Sequence, residues 1–60
     1  MDFKAYLKEL KDKGSHFSAS IPEVGIAKVK IKDMVEDIVE LEEENGNVFF
    51  LHYTNVIVVT

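Results

Sequence analysis

Val48-Phe49-Phe50-Leu51-His52-Tyr53-Thr54-Asn55-Val56-Ile57-Val58-Val59 is the stretch that decides the fold, and nine of its twelve residues are apolar. A strand with one wet face alternates apolar and polar side chains. Phe49-Phe50-Leu51 and Val56-Ile57-Val58-Val59 do not alternate. Both faces of these strands are therefore expected to leave water. A chain of 60 residues has little interior to offer a second face. The simplest resolution is a second copy of the same chain.

The segments before this stretch read as a small all-β unit. Ser15 to Ile21 sets His16, Ser18 and Ser20 against Phe17, Ala19 and Ile21. Pro22-Glu23-Val24-Gly25 reads as a turn, with the proline fixing one dihedral and the glycine free for positive φ. From Ile26 to Lys32, Lys28, Lys30 and Lys32 face water while Ala27, Val29 and Ile31 face in. The alternation is disturbed over Asp33-Met34-Val35-Glu36-Asp37, where a bend, bulge or tight loop is expected. Ile38 to Glu44 follows with Val39 and Leu41 inward. Asn45-Gly46 predicts a two-residue type I′ hairpin turn between Glu44 and Asn47. Val48 to Tyr53 and Val56 to Thr60 complete five strands, with Thr54-Asn55 as a short corner.

Residues 2–13 read as an amphipathic helix. Phe3, Tyr6, Leu7 and Leu10 form one stripe. Asp2 suits the N-cap, Lys11 and Lys13 the negative C-terminal end, and Gly14 the left-handed stop. Lys4, Lys8 and Lys11 lie along the opposite, wet face. The fold class is thus mostly β: a single domain over residues 1–60, with a helix at 2–13 and a small, strongly bent, five-stranded antiparallel barrel at 15–60.

Composition narrows the function. The net charge is −4 and there is no cysteine. Disulfides and thiolate metal sites are excluded, and a reducing, cytoplasmic setting is expected. The N-terminus shows no signal peptide and no run long enough to span a bilayer, so no membrane partner is expected. All basic residues are lysines between Lys4 and Lys32, whereas residues 33–60 carry seven acids and no lysine or arginine. The acidic balance opposes sequence-blind binding to phosphates, yet leaves room for one basic face on an acidic body.

Catalytic residues are not expected. His16 and His52 are far apart, no third ligand stands at metal spacing, and no serine sits in a glycine-flanked elbow. Neither a metal nor a cofactor is predicted. Asp33, Glu36 and Asp37 read as a solvated acidic loop, and Glu42-Glu43-Glu44 as a solvated hairpin end that discourages unwanted pairing. His52-Tyr53-Thr54-Asn55 has two readings. One is ordinary turn chemistry with Tyr53 in the core. The other is a binding corner, where Tyr53 and His52 stack on a nucleobase and Asn55 reads its edge.

A helix, five short bent strands and a last pair split by a polar corner resemble the Sm-like family, including bacterial Hfq. Val35-Glu36-Asp37-Ile38-Val39-Glu40-Leu41 is similar to the first Sm motif. Leu51-His52-Tyr53-Thr54-Asn55-Val56 is similar to the second, with His52 at its arginine position and Tyr53 at its glycine position. The chain departs from the family in Lys28-Val29-Lys30, which lacks the glycine that bends the second strand. It departs again in Tyr53-Thr54, which replaces the lysine–histidine pair of Hfq.

The resemblance implies a ring of five to seven copies in which the fourth strand of one subunit pairs with the fifth of the next. The interface residues would be Val48, Phe49, Phe50, Leu51, Val56, Ile57, Val58 and Val59. It also implies single-stranded RNA as a partner, at His52, Tyr53, Thr54 and Asn55, at Asp37 and Ile38 of the first motif, and at Lys4, Lys8 and Lys11 of the helix face. Asp37 repels phosphate and Ile38 does not stack as an aromatic does. The leading expectation is a non-enzymatic, Sm-like homo-oligomer that binds single-stranded RNA. A structural or protein-interaction oligomer without RNA is the alternative, followed by a monomeric SH3-like barrel that docks a partner strand.

Overall fold

The computed structural model describes residues 2–59. The chain is mostly β, with an N-terminal helix followed by a five-stranded antiparallel sheet. Helix α1 spans Phe3–Lys13. The Asp2 carboxylate accepts the Ala5 N–H at 2.7 Å, which satisfies one of the unpaired amides of the first turn. Gly14, at φ 64°, ends the helix and donates its N–H to the carbonyls of the last turn. Of the apolar stripe only Leu7 is fully buried, and Leu10 packs on the core. Phe3 and Tyr6 stack on each other at 6.3 Å and stay partly exposed.

Strands β1 (His16–Ile21), β2 (Gly25–Val35), β3 (Ile38–Glu43), β4 (Val48–His52) and β5 (Ile57–Val58) lie in the order β4-β3-β2-β1-β5. All neighbours are antiparallel. β4 and β5 stand at the two ends of this order and do not pair with each other, so hydrogen bonds do not close the sheet into a barrel. The period-2 pattern sets the burial. Phe17, Ala19 and Ile21 of β1, Val29 and Ile31 of β2, and Val39 and Leu41 of β3 form the core with Leu7 and Val56. Burying one such side chain fully is worth about 1.5–3 kcal/mol.

The disturbance expected after Lys32 is both a bulge and a tight loop. Ile31 faces Leu41, but Asp33 faces Glu40, so Lys32 is an extra residue on β2. The bulge shifts the inward positions, and Met34 rather than Asp33 packs on the core. Glu36-Asp37 then forms a two-residue loop between paired Val35 and Ile38. Only the first loop residue, Glu36, takes positive φ (54°), the pattern of a II′ turn in which glycine is usual.

The Asn45-Gly46 expectation is corrected. Gly46 N–H donates to the Glu43 carbonyl at 3.0 Å and Glu43 N–H donates to the Asn47 carbonyl at 2.8 Å. The loop therefore has three residues, Glu44-Asn45-Gly46. Gly46 has φ 95°, but Asn45 does not have the positive φ that a type I′ turn requires. Instead the Asn45 side-chain carbonyl accepts the Asn47 N–H at 3.0 Å. Among the described residues no helix is long and apolar enough to cross a membrane.

Candidate functional site

Four segments converge: the β2–β3 loop, the start of α1, the end of β4 and the turn that follows it. The polar corner is a 3-10 turn, Tyr53–Asn55. Its first amide, Tyr53 N–H, donates to the Asp37 carbonyl at 2.8 Å, which ties the corner to the β2–β3 loop. The Lys4 ammonium lies 2.7 Å from Asp37 Oδ1 and 5.5 Å from the centre of the Tyr53 ring. The His52 and Tyr53 rings stack at 5.0 Å with planes 26° apart.

His52 caps the 3-10 turn. Its Nδ1 accepts the Thr54 N–H at 3.3 Å and lies 2.8 Å from Thr54 Oγ1. With Nδ1 accepting, the proton of the neutral imidazole sits on Nε2. Nε2 is 3.9 Å from Asp37 Oδ2. Asp37 thus faces a lysine and a histidine. The hydrogen bond from Lys4, then the Lys4 charge, hold its carboxyl below the usual range, and His52 adds to this against the cost of desolvation. The same hydrogen bond raises the Lys4 ammonium above the usual lysine range.

The expected residues divide cleanly. Lys4, Asp37, His52, Tyr53 and Thr54 come together, and Ile38 stands beside them as the strand partner of His52, partly exposed. Asn55 is exposed at the far end of the turn. Tyr53 packs against the core, as the turn reading expects, and its ring stacks on His52. Lys8 and Lys11 do not reach the corner. They line a groove of about 440 Å³ with Asp2, Lys4, Ala5, Met34 and Glu36. Lys8 is exposed, so the lysine row is a solvent-facing surface that borders a groove between α1 and the end of β2. Glu36 is expected from sequence only as part of a solvated acidic loop, and no local pattern joins it or Met34 to a helix that ends at residue 13.

The strands expected to carry two greasy faces are also resolved. Val56 is in the core, and Phe49, Leu51 and Val58 pack against it. Val48 is half-buried. Phe50, Ile57 and Val59 remain exposed, at 66%, 60% and 45%. Phe50 pairs with Glu40 on β3, and Ile57 pairs with Ser20 on β1. Each lies on a strand with a neighbour on one side only.

A partly exposed aromatic stack sits beside a lysine whose charge Asp37 offsets. Among the described residues, no cluster of three or more histidine, cysteine, aspartate or glutamate side chains could hold a metal ion. No family model, curated protein or solved structure matches this chain.

Proposed function

We propose that the protein is a non-enzymatic, Sm-like homo-oligomer whose subunits join β4 of one copy to β5 of the next. One observation carries this reading: the open sheet leaves an unpaired strand at each end, and each presents an exposed large apolar side chain, Phe50 or Ile57. An unpaired strand is a template for another strand. Two different edges make a head-to-tail contact, which closes into a ring when the rotation between copies permits. Solution mass by light scattering tests it. A mass of five to seven subunits supports the ring, and a monomer overturns it.

Single-stranded RNA is the ligand favoured by the His52–Tyr53 stack, since base stacking on aromatic rings is tolerant of sequence. Lys4 beside Tyr53 adds a cation, but Asp37 offsets it, so affinity is expected to be low and to fall steeply with salt. Fluorescence anisotropy with labelled oligo(U) at low salt tests this part separately. A ring that shows no binding there is the interaction oligomer without RNA.

A further inference from the structure

Asp37 faces one fixed cation and one titratable ring. Its Oδ1 accepts from the Lys4 ammonium at 2.7 Å, and its Oδ2 lies 3.9 Å from His52 Nε2. While His52 is neutral, Lys4 and Asp37 cancel, and the corner offers stacked rings without net charge. Histidine is the side chain whose charge ordinarily changes between about pH 5 and about pH 8. The Lys4 hydrogen bond holds the Asp37 carboxyl below the usual range, so Asp37 stays ionised across that interval. Protonating His52 then adds a positive charge that Asp37, already matched by Lys4, does not cancel. The ring's contacts suit both states. Nδ1 accepts the Thr54 N–H at 3.3 Å, a bond that ends once Nδ1 carries a proton. Thr54 Oγ1, 2.8 Å from Nδ1, is a hydroxyl, which donates to the neutral ring and accepts from the charged one. The Tyr53 face, with its centre 5.0 Å from that of His52, also attracts a cationic ring.

The neighbouring elements leave that charge standing. Among the described residues, Asp37 is the one carboxylate within ion-pair distance of His52. β3 presents Ile38 as the strand partner of His52, and the next residue on that face, Glu40, lies 3.9 Å from Lys32. α1 brings Lys4 and, at its N-cap, Asp2, and the β2–β3 loop brings Glu36 beside Asp37. Asp2 and Glu36 share the groove beside α1 with Lys8 and Lys11, so those acids meet an equal number of lysines. β5 of a second copy, the strand proposed to join β4, carries Ile57 and Val58, which do not ionise. We infer that His52 is a proton-operated switch for the RNA site: protonation turns the corner from neutral to cationic and strengthens its hold on a single strand as pH falls. A nucleotide supplies both a base for the stack and a phosphate for the added charge. The inference deepens the RNA reading and rests on it.

The test is fluorescence anisotropy with labelled oligo(U), whose base does not titrate here, from about pH 7.5 to about pH 5.5 at fixed ionic strength. The lower limit stays above the ordinary carboxylate range of about 4. Wild-type affinity is expected to rise at least about fivefold on acidification, and the slope of log K against log salt to steepen by about 0.7. His52→Phe keeps an aromatic ring that cannot protonate, and His52→Asn keeps a side-chain acceptor for the turn. Both are expected to lose the rise and to bind no tighter than wild type does at the upper pH. His16→Gln removes the other histidine and is expected to keep the rise. Circular dichroism confirms folding of each variant. NMR of the free protein reads the switch without RNA: the Thr54 amide resonance is expected to follow the His52 ring resonances through a shared midpoint. Wild type that binds oligo(U) equally at both ends of the range overturns the switch and leaves the RNA reading standing. No binding at either end removes both. A Thr54 amide that ignores the His52 titration, or a rise that survives in His52→Phe, also overturns the switch.

Discussion

At the scale of single residues, the backbone is least relaxed at two glutamates. Glu23 has φ 67° and Glu36 has φ 54°, in the region that L side chains avoid at a cost of about 1–2 kcal/mol. Val24 N–H donates to the Ile21 carbonyl, so Glu23 is the third residue of a tight turn, where glycine is the usual choice. Glu23→Gly removes that strain and gives back part of the gain as chain entropy. A net stabilisation of about 0.5–1 kcal/mol is expected in urea unfolding. Gly46→Ala is the converse. Nothing lies within 4 Å of the added Cβ, so the loss, about 1 kcal/mol, reads out φ alone.

Asp37 makes a pH prediction of defined sign. Its folded-state pKa is lowered, chiefly by the Lys4 hydrogen bond. The stability it contributes is full above the ordinary aspartate range and is lost as pH falls through the lowered value. Lys4 is raised, so its contribution is full below the ordinary lysine range and disappears as pH rises through the raised value. Lys4→Gln is expected to move the Asp37 carboxyl resonance back toward the ordinary range in a proton-detected NMR titration. An unmoved midpoint would show that the pair does not form in solution.

At the scale of elements, legibility followed the range of the interactions. β1, β3 and the capped helix were legible because each is written by its own periodicity and termini. Phe17, Ala19 and Ile21 alternate in sequence and are all buried. The Asn45-Gly46 loop was legible as a hairpin but not in its type, since the choice turned on one backbone dihedral at Asn45. The two greasy strands divide their apolar side chains between the chain's own core and the surface. Val56 and Leu51 found partners in the chain's own core, because the bent sheet brings residues 7, 17 and 56 into one cluster. The Lys4–Asp37 pair, 33 positions apart, left no local trace, and the site it organises was legible only as a polar corner. The helix illustrates how much one contact carries. Leu7 is its only fully buried side chain. Leu7→Ala is expected to cost about 2–5 kcal/mol. That is a large share of the stability of a chain this short, so loss of cooperative thermal unfolding is expected in differential scanning calorimetry.

At the scale of the whole molecule, the question is what covers β4 and β5. The sheet has satisfied one side of each strand and left the other open. Phe50 and Ile57 lie on these open strands, and both are more than half exposed. Native sheets commonly blunt such edges with charge, proline or a covering loop. Here the acids gather at the hairpin end, in Glu42-Glu43-Glu44, rather than on β5. Under the proposed assembly these two edges are the ones that pair. Ile57→Lys places a charge where the next strand would lie and keeps Val56 and Val58 in their own core. If the proposed assembly forms, this variant is expected to be monomeric in light scattering, with a circular dichroism spectrum unchanged in shape. Phe50→Lys on the opposite edge should do the same. If contact runs from β4 to β5, a mixture of the two variants can still form one intact junction between the unmodified β4 edge of Ile57→Lys and the unmodified β5 edge of Phe50→Lys. It should then stop at dimers. Full-size assembly in either variant would mean that the copies meet elsewhere, and dimers from the mixture would establish the head-to-tail direction of pairing.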